Sequence, residues 1–178
     1  MDDTLPGRIV HALAKYTAIA GGTVLAVITV STLVSVIGRG LIPIGLSPIP
    51  GDYEIVEAGV LFAVFAFLPW AQLTRGHAVV AIVTDQFSAR INSVIVFIAD
   101  LLMLGLAGFI AWRHWLGMLD KMQYMETTFI LRLPLWWSYA ASMLGAFVFV
   151  IVAVYCVVRS GAAMVSANPE MPKSGAAE

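Results

Sequence analysis

Four stretches of this chain are too apolar and too poor in charge to fold anywhere but across a lipid bilayer. They run from 16 to 38, 58 to 74, 91 to 112 and 133 to 158, and Asp100 is the one charged residue inside them. The shortest, 17 residues between Glu57 and Arg75, spans about 26 Å as a helix, just under a hydrocarbon core of about 30 Å. Composition agrees. Hydrophobic residues are 60% and charged residues 12% of the 178, about half the charged share of a soluble domain. The expected architecture is therefore an all-α integral membrane protein with four transmembrane helices, at about 16–38, 55–74, 91–112 and 133–158. Residues 161–178, rich in Gly, Ala, Ser and Pro, read as a disordered tail.

Several function classes fall away. A net charge of −1 and a pI of about 6.3 argue against a nucleic-acid partner. The single cysteine, Cys156, lies inside an apolar run and has no second thiol for a disulfide or a zinc site; it reads as a packing or membrane-facing residue. No GxSxG, P-loop or HExxH pattern occurs, and no polar stretch is long enough to fold a soluble catalytic domain. The first apolar run is longer than a signal-peptide core and follows an acidic leader, so it reads as a retained crossing.

The connections carry the punctuation. Residues 39–50, RGLIPIGLSPIP, form a loop whose three prolines stop the first helix from continuing. Pro69 near the exit of the second crossing is tolerable within a membrane. The stretch 77–88 places Val79, Val80, Ile82, Val83 and Phe87 on a broad face, which suits a short interfacial amphipathic helix or a solvated turn. Beyond Trp112, Trp115, Met118, Leu119, Met122 and Met125 keep helical spacing, so the third helix runs on or bends along the surface. Pro134 suits the first turn of the fourth helix, and Trp136, Trp137 and Tyr139 read as an interfacial belt. Small residues four apart recur in each crossing, namely Ala18/Gly22, Gly59/Ala63, Ala107/Ala111 and Ala141/Gly145, and permit close packing. Six Lys and Arg fall with the termini and the 75–90 loop and four with the other loops, an excess that puts both termini in the cytoplasm.

Asp100 is the costliest residue, at least about 2.5 kcal/mol at mid-span. It is either an ion site or a polar contact to Thr29, Ser31, Thr32, Ser142 or a partner; no basic residue is expected at its depth. Glu54 and Glu57, on one helix face, are expected to pair with Arg39 and fix the first two crossings. Glu57 and Asp100 are also the acids that a self-sufficient four-helix transporter or channel would use as its ion path. His11, His77 and His114 fall outside the apolar runs, so facing axial ligands for a haem are missing. No cofactor or metal site is expected.

Four pieces of sequence occur in a distinctive order: Arg39 closing the first crossing, Tyr53-Glu54 opening the second, Arg75-Gly76-His77-x-Val79 after it, and Leu133-Pro134-Leu135-Trp136-Trp137 opening the last, with Gly145 further in. In this the chain, from about residue 10 to 160, resembles the small, Q-type membrane subunit of tripartite ATP-independent periplasmic (TRAP) transporters. Two positions depart from that pattern. Ala81 stands where an acid is frequent, with Asp85 one turn later, and Gly40 stands where an aromatic commonly follows the arginine. The resemblance implies a scaffold subunit with cytoplasmic termini in the bacterial inner membrane. Its partners would be a large many-spanning subunit that carries the substrate and sodium sites, a periplasmic binding protein that delivers organic acids, and membrane lipids. Loops 39–53 and 113–132 would face the periplasm.

Overall fold

The computed structural model describes residues 5–75 and 89–165. Four helices account for most of them: α1 (Leu5–Gly40), α2 (Asp52–Leu73), α3 (Ala89–Gln123) and α4 (Trp136–Val165). All four are long and apolar enough to cross a membrane. A single 3₁₀ turn, Ile42–Ile44, sits in the connection after α1, and the stretch 77–88 lies outside the described residues.

The helices lie side by side in the order α1, α2, α4, α3. Both α1 and α4 pack along α2, α3 packs along α4, and α1 touches α4 only lightly. Much of what is buried is small, with Phe149 and Val152 the largest exceptions among the apolar side chains that are fully buried. Ala14, Ala63, Ala66, Ala107, Ala146 and Ala153 line the helix contacts, while Val27, Leu102, Phe109 and Leu144 point outward. This inversion of the soluble pattern is expected where lipid leaves no hydrophobic gain for burying large side chains and close backbone packing decides association. The glycines that enforce it differ partly from the spacing expected. Gly21, not Gly22, faces Ala66, and Gly145 pairs with buried Ser142 rather than with exposed Ala141.

Helix ends depart from the apolar runs because backbone hydrogen bonding does not stop where hydropathy does. α1 starts at Leu5, and α3 continues unbroken to Gln123, so 113–123 is helix rather than loop. In that extension Met118 is buried, whereas Trp115, Leu119 and Met122 are exposed; Met125 lies beyond the helix, in the turn that follows it. α4 passes Arg159 and ends at Val165, so 161–165 belongs to the helix. Its Ala-rich composition is compatible with that extension. Pro134 lies before α4, in an antiparallel bridge with Thr127, and its carbonyl accepts the Trp137 N–H. Along α1 the threonine hydroxyls donate to their own helix: Thr29 to Leu25 O and Thr32 to Ile28 O, both at 2.7 Å. Membrane burial favours that local satisfaction. Those hydroxyls are spent on their own helix, which removes them as partners for Asp100.

Candidate functional site

Polar groups gather at the two ends of the slab and at one point within it. The first end joins the α1–α2 and α3–α4 connections. Gly51 precedes α2 with φ +73, and Leu131 of the other connection fills the space where a side chain would stand. Glycine is needed there on both counts. Asp52 accepts from the buried Ser35 hydroxyl of α1 and, at 3.5 Å, from Arg39. Glu54 does not meet Arg39. Its two carboxylate oxygens accept the Ile130 N–H at 2.7 Å and the Leu131 N–H at 2.9 Å. Two residues are about 200° apart around a helix, so Asp52 faces α1 and Glu54 faces the opposite loop. Glu57 is exposed. The expected Glu54–Arg39 pair is thus replaced by Asp52–Arg39, and Glu54 becomes the clasp between the two connections.

This assigns unequal effects. Arg39, with 63% of its side chain exposed, is screened by solvent, so Arg39→Ala should leave thermal stability close to wild type. Glu54→Ala removes the acceptor of two amides. It should accelerate hydrogen exchange at Ile130 and Leu131 and open the connection to proteases. Unchanged exchange at both amides would remove the clasp.

At the other end, α2 closes on Thr74, and Arg75 takes the left-handed conformation, φ +52. That turn lets its side chain reach the Asp100 carboxylate on α3, Nη2 to Oδ2 3.2 Å. Gln72 Nε2 approaches the other oxygen at 3.5 Å. Asp100 is 5% exposed and Gln72 3%. A basic partner therefore does stand at the depth of Asp100, contrary to the expectation from the apolar run. These contacts put Asp100 level with the end of α2, and α3 continues past it in both directions. His77 lies outside the described residues.

Within the slab, His114 is buried and not outside the apolar region. It lies against Phe65 and Tyr139, with ring centroids 4.4 and 4.9 Å away, and its Nε2 contacts Ser142 Oγ at 2.7 Å. His11 meets the edge of Trp70 at 5.3 Å near the opposite end, so these two histidines do not face one another. Among the described residues no three His, Cys, Asp or Glu side chains gather as a metal centre would require. Cys156 is fully buried against Val10, Ala14 and Val152. Trp136 and Trp137 meet edge to face at 6.1 Å at the start of α4, where Trp137 is 55% exposed. An open groove of about 480 Å³, lined by Leu13, Tyr16 and Thr17 of α1, Phe62 of α2 and Leu144 of α4, offers apolar walls without a charged side chain.

The family model for the DctQ component of tripartite ATP-independent periplasmic transporters matches residues 9–162. The chain belongs to this family. It matched no curated protein and no solved structure. As a DctQ component it is a multi-pass membrane protein, the small membrane subunit of a TRAP transporter. Arg39, Glu54, Arg75, Asp100, Pro134, Trp136 and Trp137 all lie inside the matched range. The structure brings Glu54 together with the loop before Pro134, and Arg75 together with Asp100. Ser35, Asp52, Gln72, His114 and Ser142 were not anticipated in these roles. A signal existed for His114, which shares one helical stripe with Ala107, Ala111 and Met118.

Proposed function

We propose that this DctQ component is a non-catalytic scaffold of a sodium-driven importer of organic acids in a bacterial inner membrane, with both termini cytoplasmic. It would enlarge the fixed frame against which a large many-spanning subunit moves substrate. The end built from 41–51 and 124–135 would face the periplasm, and its exposed 41–46 segment would help receive a binding protein. One observation carries this reading. The buried polar residues Ser35, Gln72, Asp100, His114 and Ser142 each join two helices, and buried Ser160 turns back on its own. They are straps between neighbours. The groove, without a cationic side chain, suits no carboxylate substrate. Substrate and sodium therefore belong on the partner subunit, and the identity of the acid is written in that chain.

The test is purification from native membranes in mild detergent, then mass spectrometry and reconstitution. Recovery of a stoichiometric large polytopic partner, with sodium-dependent carboxylate uptake by the complex and none by this chain alone, is the expected result. A homo-oligomer that transports unaided, and loses flux on Asp100→Asn, would overturn the proposal in favour of a self-sufficient transporter.

A further inference from the structure

The connection between α3 and α4 is a built structure rather than slack. Its root is tied by Lys121 Nζ to the Glu126 carboxylate at 2.7 Å. Its sides are paired by Thr128 N–H to Leu133 O at 2.9 Å and Leu135 N–H to Glu126 O at 3.0 Å. Met125 and Arg132 adopt left-handed conformations, φ +47 and +53, at either side of the tip. The tip amides of Ile130 and Leu131 are held by Glu54, and the Leu131 side chain is tucked against Gly51. What this frame leaves outward is apolar: Phe129 is 97% exposed and Ile130 61%. A rigid loop that holds a phenylalanine and an isoleucine out into water would be unfavourable, because apolar surface gains free energy on leaving water.

Depth indicates what covers them. Glu54, which grips the tip, lies four residues before Ala58, where the uncharged run of α2 begins. Four helical residues are about 6 Å, so the tip stands at the edge of the hydrocarbon core, in the zone where interfacial segments bury their apolar side chains by about 5–10 Å. The neighbouring exposed residues fit that zone: Tyr53, Tyr124 and Trp137 are 75, 70 and 55% exposed, and such rings favour the headgroup level. Exposed Arg132 supplies a cation beside the tip, and the acid at its root, Glu126, is already paired. The apolar surface then continues onto the outward face of α4 through Leu144, Phe147 and Ile151.

We propose that the 124–135 loop is a lipid anchor. Phe129 and Ile130 insert at the headgroup–acyl boundary of the leaflet at that end of the slab and Arg132 meets phosphate. This fixes the tilt of the slab and leaves the exposed 41–46 segment, on the same end, for protein contact. The inference rests on the membrane-spanning fold and not on the transporter assignment.

The test uses the subunit in its native complex. Cys156, the sole cysteine and fully buried, is replaced by Ala, and an environment-sensitive fluorophore is attached through Phe129→Cys. Vesicles of phosphatidylcholine and phosphatidylglycerol carry a nitroxide either at the headgroup or deep in the acyl chain. Expected are blue-shifted emission and quenching that is stronger from the headgroup nitroxide than from the deep one. Emission typical of water, quenched by aqueous iodide, would overturn the anchor. So would blue-shifted emission that no lipid nitroxide quenches, since that places Phe129 against protein. A second label through Leu144→Cys, quenched by the deep nitroxide, shows that the helices are inserted. Failure at Phe129 alone therefore counts against the anchor and not against the membrane fold.

Discussion

Replacing Asp100 by alanine is expected to cost about 3–5 kcal/mol of stability, the usual loss when one partner of a buried ion pair is removed. The geometry explains why the loss should be that large. The Arg75 guanidinium, whose side chain is only 24% exposed, would keep its charge and lose its carboxylate. Its buried Nε already has no hydrogen-bond partner among the described residues. Arg75 also holds a left-handed backbone, a conformation that costs a non-glycine residue about 1–2 kcal/mol and that the ion pair helps to maintain. Asp100→Ala should therefore loosen both the end of α2 and its tie to α3. The pair Arg75→Gln with Asp100→Asn should recover much of the loss, because a neutral hydrogen bond replaces two buried charges. A double-mutant cycle on the thermal unfolding of the detergent-purified protein reads the coupling directly. If the two single losses simply add, the pair is not a strap. If the double variant regains full stability and its complex assembles yet fails to transport, Asp100 belongs to an ion path and the scaffold role assigned to it is wrong.

The number of crossings was legible because an apolar run of 17 residues or more, broken by at most one charge, has few other fates. The ends of the helices were not. The polar residues at the start of α1 and after Trp112 hydrogen-bond along the backbone as well as apolar ones do, so α1 and α3 outrun their hydrophobic stretches. Arg39 was recognisable, but choosing Asp52 over Glu54 as its partner needed the rotation of α2, which hydropathy cannot supply. Arg75 was visible as a loop cation. Its role depends on one left-handed residue that turns the side chain back into the slab, and no pattern of residue types specifies that turn. His114 was misplaced because its neighbour Arg113 made the local sequence look aqueous. The stripe through Ala107, Ala111, His114 and Met118 points into the protein while Arg113 points out. The clasp of Glu54 on Ile130 and Leu131 joins backbone amides 76 and 77 residues away, and amides carry no sequence signature.

Gly145→Leu is expected to separate the two halves of the protein. A methyl group on Gly145 would stand 2.7 Å from both the carbonyl carbon and the oxygen of Phe65 in α2. Those are backbone atoms within a helix, which cannot swing aside as a side-chain tip can. Even Gly145→Ala should therefore cost about 1–3 kcal/mol, the range for overpacking a tight contact, and the larger leucine should force α4 away from α2. The consequence is global because of the order α1, α2, α4, α3. The α1–α2 pair and the α3–α4 pair meet along α2 and α4, with the Arg75–Asp100 pair and the Glu54 clasp at the ends, and Gly145 sits inside that seam. Gly22→Ala supplies the control. Gly22 lies in α1 with nothing within 4 Å of the added methyl, so the substitution should be neutral or stabilising by up to about 1 kcal/mol through helix propensity alone. Thermal unfolding and complex yield are the readouts. Opposite signs for Gly145→Ala and Gly22→Ala would place the difference in the seam. Equal effects would mean that α2 and α4 tolerate separation, and the fixed frame would then have to be held by the partner subunit.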